Sequence, residues 1–389
     1  MTKPYNEAWI RARAIQTQAR EWQRKGLLNA EQLERIKTIF PDSFYKANLW
    51  VKIALFLFTL LLNSCASGLA ASVLFTALSE SLVAAGILMI LFGVGYYFIL
   101  ENFIHERRLF HSGIDNALLY SMVGSLVGGL CLIFSEVIGD NKLWLYGLLA
   151  LPVLVWAVVR YASRLLTVAA FGCLLFIVFG IAISSAWGKA LLPFIVMAVA
   201  GVVYFFVKKA DHRESSFYWA ECLTVAEVIA LILFYAGGNY YVVREGNALL
   251  LGASTAGQIP FAALFYTFTV LIPVAYLAFA IRRKDRLLLR LGLLVLAASI
   301  VTFQHYFPAL SWAGFLSLSG LVLIGLAWIF TRFLTPARSG FTAVADGPLR
   351  GADAEAFAIA HARTTQPEIV PEKLFGDGDF GGAGAGSGY

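Results

Sequence analysis

The sequence predicts an all-α polytopic membrane protein of about ten transmembrane helices, preceded by a short cytoplasmic helical hairpin and followed by a disordered tail. Three observations carry that prediction. Hydrophobic residues fill 59% of the 389 positions and charged ones only 14%, at a mean hydropathy of +0.74; a soluble chain this apolar cannot cover its own surface. Apolar runs of about 20 residues, the length that crosses hydrocarbon, recur from position 49 to 333. The Lys and Arg residues fall almost wholly into alternate connections between those runs, which is how a multi-pass chain marks its cytoplasmic side.

Residues 1–48 read as soluble and helical. Ile15, Ala19 and Trp22 recur at helical spacing among Arg11, Arg13, Arg20 and Arg24. Gly26 is placed to end that helix. Asn29 is placed to cap the next, with Gln32 three residues on in a capping-box arrangement. Leu33, Ile36 and Phe40 then form an apolar stripe that Pro41 stops. Such a hairpin either packs on the membrane surface and its loops or binds a protein partner. No signal peptide is visible ahead of it, so the first apolar run, starting near Leu49, is expected to be a retained anchor.

The run Trp22-Gln23-Arg24-Lys25-Gly26-Leu27-Leu28-Asn29-Ala30-Glu31-Gln32, followed by Ile36, resembles the opening of the DUF2157-type membrane proteins. In those, a tryptophan, a Gly-Leu-Ile-like turn and a Gln-containing helix precede a block of spans. Leu28 stands where that family more often has Ile. The resemblance implies an architecture and no chemistry.

The membrane block, 49–333, divides into spans at 49–67, 81–100, 116–137, 143–159, 165–185, 190–207, 218–242, 260–281, 287–304 and 310–332. The stretch 68–79 either extends the first helix or lies in the interface. Trp50, Trp144, Trp187, Trp219 and Trp312 fall near span ends, as an aromatic belt places them. Of the 30 Lys and Arg residues, all but Lys142, Lys189 and Arg244 lie on one side. The positive-inside rule then puts both termini in the cytoplasm of a bacterial-type inner membrane and accounts for the net charge of +6 without nucleic acid. Ten spans permit a five-plus-five division at about residue 187, with inverted halves as in many secondary transporters.

One span carries carboxylates, where every other keeps its acidic residues at or beyond its ends. The seventh holds Glu221 and Glu227, and a charge inside hydrocarbon marks a functional candidate. If that helix starts near Phe217, ten residues of rise place Glu227 about 15 Å in, near the midplane. Glu221 is shallow enough to reach the headgroups, and six residues of separation keep the two carboxylates off a common face. Thr224 lies one turn from Glu227, placed to hydrogen-bond it. Glu227 is therefore either a proton- or cation-linked site or a packing device bonded to a neighbouring helix.

Other polar positions read as secondary. His305 ends the ninth span, where it faces solvent or a site. Glu136 and Asp140 flank the third span's outer end, and Asn116 is expected to cap that span's start. Asn63, Ser64 and Ser67 either line a polar pocket or mediate packing, and Gly124, Gly128 and Gly129 permit close helix contact. Gly237-Gly238-Asn239 either breaks the seventh span or begins a loop.

Soluble chemistry is not written into the chain. There is no P-loop, GxSxG, HExxH or dinucleotide fingerprint, and Ser317 and Ser319 have no obvious base. Cys65, Cys131, Cys173 and Cys222 lie in apolar segments without CxxC spacing and read as small buried hydrophobes. No cofactor, metal or nucleic acid is expected. Residues 334–389 hold four Lys or Arg against seven Asp or Glu and end in FGDGDFGGAGAGSGY, a flexible low-complexity tail or a docking signal.

Two functions follow as expectations. One is a non-enzymatic sensing or scaffolding component whose partners meet the hairpin or the tail. The alternative is a proton-linked small-solute transporter that uses Glu227, with Glu221, Thr224 and His305 as further candidates.

Overall fold

In a computed structural model of the chain, the structure describes residues 4–24, 28–41, 44–45, 48–74, 81–138, 142–211, 218–251, 257–283, 285–306 and 311–334. The expected helix end at Gly26, the tail, Asp140 and the sixth-to-seventh connection at 212–217 lie outside them. The described residues form fourteen helices and no strand.

Two helices make the N-terminal hairpin, α1 (Glu7–Arg24) and α2 (Ala30–Ile39). Both bonds of the capping box are present: the Asn29 side chain accepts from the Gln32 amide at 2.7 Å, and the Gln32 side chain from the Asn29 amide at 2.9 Å. The expected stripes meet in one core of Ile15, Ala19, Trp22, Leu28, Leu33 and Ile36, with Phe40 against it. The Gln16 amide closes the hairpin by donating to the Phe40 carbonyl at 2.7 Å.

The membrane block follows as α3 (Leu49–Val73), α4 (Leu82–Arg107), α5 (Ile114–Ile133), the single turn α6 (Ser135–Ile138), α7 (Trp144–Tyr161), α8 (Arg164–Ile183), α9 (Ala186–Asp211), α10 (Ala220–Gly238), α11 (Tyr240–Leu251), α12 (Ala262–Arg283), α13 (Arg286–Tyr306) and α14 (Trp312–Leu334). Nine of these are long and apolar enough to cross a membrane, and α14 extends over 23 residues beside them. The chain is thus a multi-pass, all-α membrane protein.

The closest packing is between consecutive helices: α4 with α5, α7 with α8, α9 with α10, and α12 with α13. Small residues make this possible. A Cβ on Gly86 would stand 2.7 Å from the Gly129 carbonyl oxygen, and one on Gly129 would stand 2.6 Å from that of Gly86, so α4 and α5 cross backbone to backbone. Gly129 thus acts as expected, whereas nothing lies within 4 Å of a Cβ at Gly124. Asn63 donates to Ser121 at 2.9 Å and its carbonyl accepts from Tyr96 at 3.0 Å, which fastens α3 to its neighbours.

Three of the boundaries that differ from the sequence expectation do so for a plain local reason. The first span continues through Val73, so the start of the stretch after residue 67 extends the helix. The third begins at Ile114, after Gly113 at φ +108°. A Cβ at Gly113 would also fall 2.3 Å from the Lys52 carbonyl oxygen, so glycine is required there twice over. Asn116 does not cap that helix: its side chain meets His111 Nδ1 at 3.2 Å, while Asp115 accepts the His111 and Ser112 amides at 2.7 and 2.8 Å. The seventh span ends at Gly238, because extended Asn239 breaks it and a separate helix, α11, follows.

Candidate functional site

Helices α9 and α10 form a hairpin, and the end of α9 lies against the first two turns of α10. Glu227 stands on the inner face of α10, 6% exposed. Lys208, one turn from the end of α9, reaches it with Nζ 2.6 Å from Oε1. The same ammonium donates to Asp285 Oδ2 at 3.3 Å. Glu227 Oε1 is sealed from solvent, and among the described residues the Lys208 ammonium is the group that meets it.

Asp285 occupies the turn between α12 and α13. Its Oδ1 accepts the Leu287 and Leu288 amides at 2.9 and 3.1 Å, capping α13. Burial alone would raise this carboxyl, but the Leu288 amide and the Lys208 ammonium outweigh it and hold it below the usual aspartate value. Three elements therefore converge on one lysine, and the set carries two acids for one base. Tyr204 lies one turn before Lys208, with its ring 5.9 Å from the ammonium.

A second polar centre lies at the other end of α10. Asn239, 2% exposed, donates through Nδ2 to Tyr235 Oη at 2.7 Å and to Thr302 Oγ1 at 3.0 Å, while its Oδ1 accepts the Val242 amide at 3.1 Å. The next amide, Tyr240, donates to Thr269 Oγ1 at 2.9 Å. One side chain thus satisfies backbone freed by the break and ties α10, α11 and α13 together. Beyond it Tyr240 stacks on Tyr266 at 4.0 Å, and the Arg244 guanidinium lies 4.8 Å from the centre of the Tyr306 ring. Between the two polar centres runs an apolar layer of Leu231, Ile272, Tyr276, Leu288, Leu291 and Val295. Within it the Tyr276 hydroxyl donates to the Leu231 carbonyl at 2.9 Å.

The sequence candidates separate. Glu227 is the sealed acid of the triad that Lys208 bridges to Asp285. Because α10 starts at Ala220, Glu227 stands seven residues, about 10 Å, from the helix end, shallower than a start at Phe217 implies. Thr224 donates back along its own helix to the Ala220 carbonyl at 2.8 Å. Glu221 is exposed and pairs with Arg164 at 3.2 Å, a surface contact worth little. His305 is exposed at the end of α13, edge-on to Tyr241 with centroids 5.0 Å apart. The structure does not bring Glu221 or His305 to Glu227.

Sequence reasoning missed Lys208, Asp285 and the partners of Asn239.

A further ion cluster joins the first spans. Arg160 donates to Glu101 Oε1 through Nε at 3.0 Å and Nη2 at 2.8 Å, and Tyr161 donates to the same oxygen at 2.7 Å. The Trp219 indole donates to the Val159 carbonyl at 2.8 Å, and the Tyr218 hydroxyl to that of Arg160, so the segment leading into α10 closes the end of α7. Among the described residues no group of three or more His, Cys, Asp or Glu is placed to hold a metal ion. Comparison with protein-family models, curated proteins and solved structures gives no match.

Proposed function

We propose that the chain is a proton-linked carrier of a small solute, with Glu227 as the proton-bearing group and α9, α10, α12 and α13 as the working helices. One observation supports this above the others: Lys208 is shared between a sealed carboxylate and a second, capping one. With both acids charged the set is one negative charge in excess. A proton on Glu227 removes the excess and leaves a balanced Lys208–Asp285 pair, so proton uptake changes which helices the lysine holds. The helix break at Asn239 suits a solute site at the opposite end of the same helix.

The positive-inside pattern supports a triad near the cytoplasmic face of an inner membrane, with both termini cytoplasmic. The DUF2157-type kinship stays a proposal on the N-terminal motif.

Carbodiimide labelling of Glu227 in native membranes, from about pH 5.5 to 8.5 with Glu227→Gln as blank, tests the proton role. Labelling that falls with rising pH is expected. No labelling at any pH would make Glu227 a packing residue and remove the basis for a carrier. A sensing or scaffolding role is then the second reading, favoured by a hairpin that has its own core and caps.

A further inference from the structure

We propose that the α12–α13 turn is a binding site for an acidic phospholipid, whose headgroup meets the turn's arginines and whose chains lie along the outward sides of the two helices. Residues 282–290 read RRKDRLLLR, five basic residues to one acidic. The acid does not neutralise its neighbours. Asp285 is committed to the Lys208 ammonium at 3.3 Å and to the Leu287 and Leu288 amides. Among the described residues no carboxylate pairs with Arg282, Arg283, Arg286 or Arg290. Three of these, Arg282, Arg283 and Arg290, are exposed. The backbone that carries them is held in place: the Asp285 amide donates to the Ala280 carbonyl at 3.0 Å, and the Asp285 carbonyl accepts the Leu289 amide at 3.0 Å. Positive charge is thus concentrated on a well-bonded turn and left for an outside anion.

Where the arginines stand decides the kind of anion. On α13, Leu288, Leu291 and Val295 are buried, whereas Leu293 and Leu294 are exposed. Arg290 precedes that exposed pair by three and four residues and so shares their face of the helix. On α12, Val274, Phe279 and Ile281 are exposed, and the Arg283 guanidinium lies 5.9 Å from the centre of the Phe279 ring. In helices that cross a bilayer these exposed apolar side chains meet lipid tails, and long cationic side chains at the span ends reach the phosphate level. Cation beside exposed hydrocarbon is the complement of an amphiphile with an anionic head. A free phosphate would use the arginines but not Leu293, Leu294 or Phe279, and a water-soluble acidic segment would not cover them. Each basic residue beside a span enriches acidic lipid by about fivefold at most. The site stands apart from the carrier reading, although Asp285, which shares Lys208, lies inside the same turn.

Photocrosslinking of the full chain in nanodiscs tests the site, with phosphatidylglycerol and phosphatidylcholine probes that carry a diazirine in the acyl chain, at equal mole fraction and about 0.15 M salt. The phosphatidylglycerol probe is expected to label 270–294 about fivefold or more above the phosphatidylcholine probe. Arg282→Gln, Arg283→Gln and Arg290→Gln together should bring that ratio close to one. Arg290→Gln alone leaves Arg282, Arg283, Lys284 and Arg286 to keep the turn on its side of the membrane, and should lower the ratio at 287–294 by about twofold or more. Equal labelling by the two probes, or a preference that survives the triple substitution, overturns the proposal. So does a preference no greater than that at the α7–α8 turn, with Arg160 and Arg164, which would make it a general property of basic span ends. Loss of label on adding inorganic phosphate at unchanged ionic strength would also overturn it, by making the arginines a site for the free anion.

Discussion

Removing Lys208 is the most informative single change to the triad. At an effective dielectric of about 20, the attraction is about 6 kcal/mol across the 2.6 Å to Glu227 and about 5 kcal/mol across the 3.3 Å to Asp285. Most of this offsets the desolvation of the three ions, several kcal/mol each. The net effect therefore depends on which charge is left behind. Lys208→Met strands a carboxylate with almost no access to water and is expected to destabilise by about 3–5 kcal/mol. Glu227→Gln leaves Lys208 on Asp285, with a quarter of its side chain exposed, and costs about 1–2 kcal/mol. The double variant has no stranded charge and should recover at least about 2 kcal/mol relative to the sum of the singles. Unfolding of purified protein in mixed micelles, titrated with dodecyl sulfate and followed by tryptophan fluorescence, measures all three. A double variant at the sum of the singles, within about 0.5 kcal/mol, would refute the argument that the lysine exists to neutralise Glu227.

Other predictions concern single elements. Asn239→Ala leaves the break without its bridging amide and should cost about 1–3 kcal/mol in the same micelle assay; a neutral result would mean water replaces it freely. Gly86→Ala drives a methyl into the Gly129 carbonyl and should destabilise by about 1–3 kcal/mol, whereas Gly124→Ala, with open space, should not. The Asp285 carboxyl lies below its ordinary value, so its contribution is complete above about pH 4 and lost as pH falls through the depressed folded value. Exchange across the α12–α13 turn should quicken only in that acid window, and Asp285→Asn should abolish the pH dependence.

The spans were legible because length and apolarity are properties of the run itself. Asn29 and Gln32 were legible for a similar reason: a capping box is closed within four residues, and both bonds are present. Glu227 stood out because hydrocarbon makes any carboxylate conspicuous. Its partner did not, because Lys208 is equally well explained as a cytoplasmic marker and only the depth of α9 against α10 decides otherwise. Gly237-Gly238-Asn239 left a break and a loop start equally open, and the choice was made by Thr302 and Thr269, far along the chain. Asp285 in a turn carries no local signal. What gives it its place is a neighbour that sequence spacing does not reveal.

The pairing of α9 with α10 also bears on how the chain is made. The first span, α3, has none of its apolar window buried, so it can leave the translocon and rest in lipid alone. Helix α10 carries Glu227 across its inner third and is poorly suited to partition by itself. Lys208 emerges from the ribosome nineteen residues earlier, on the helix against which α10 folds. Each neutralises the other once α9 and α10 pack, so insertion of the two helices as a pair is expected, with the base delivered before the acid that it makes tolerable in the bilayer.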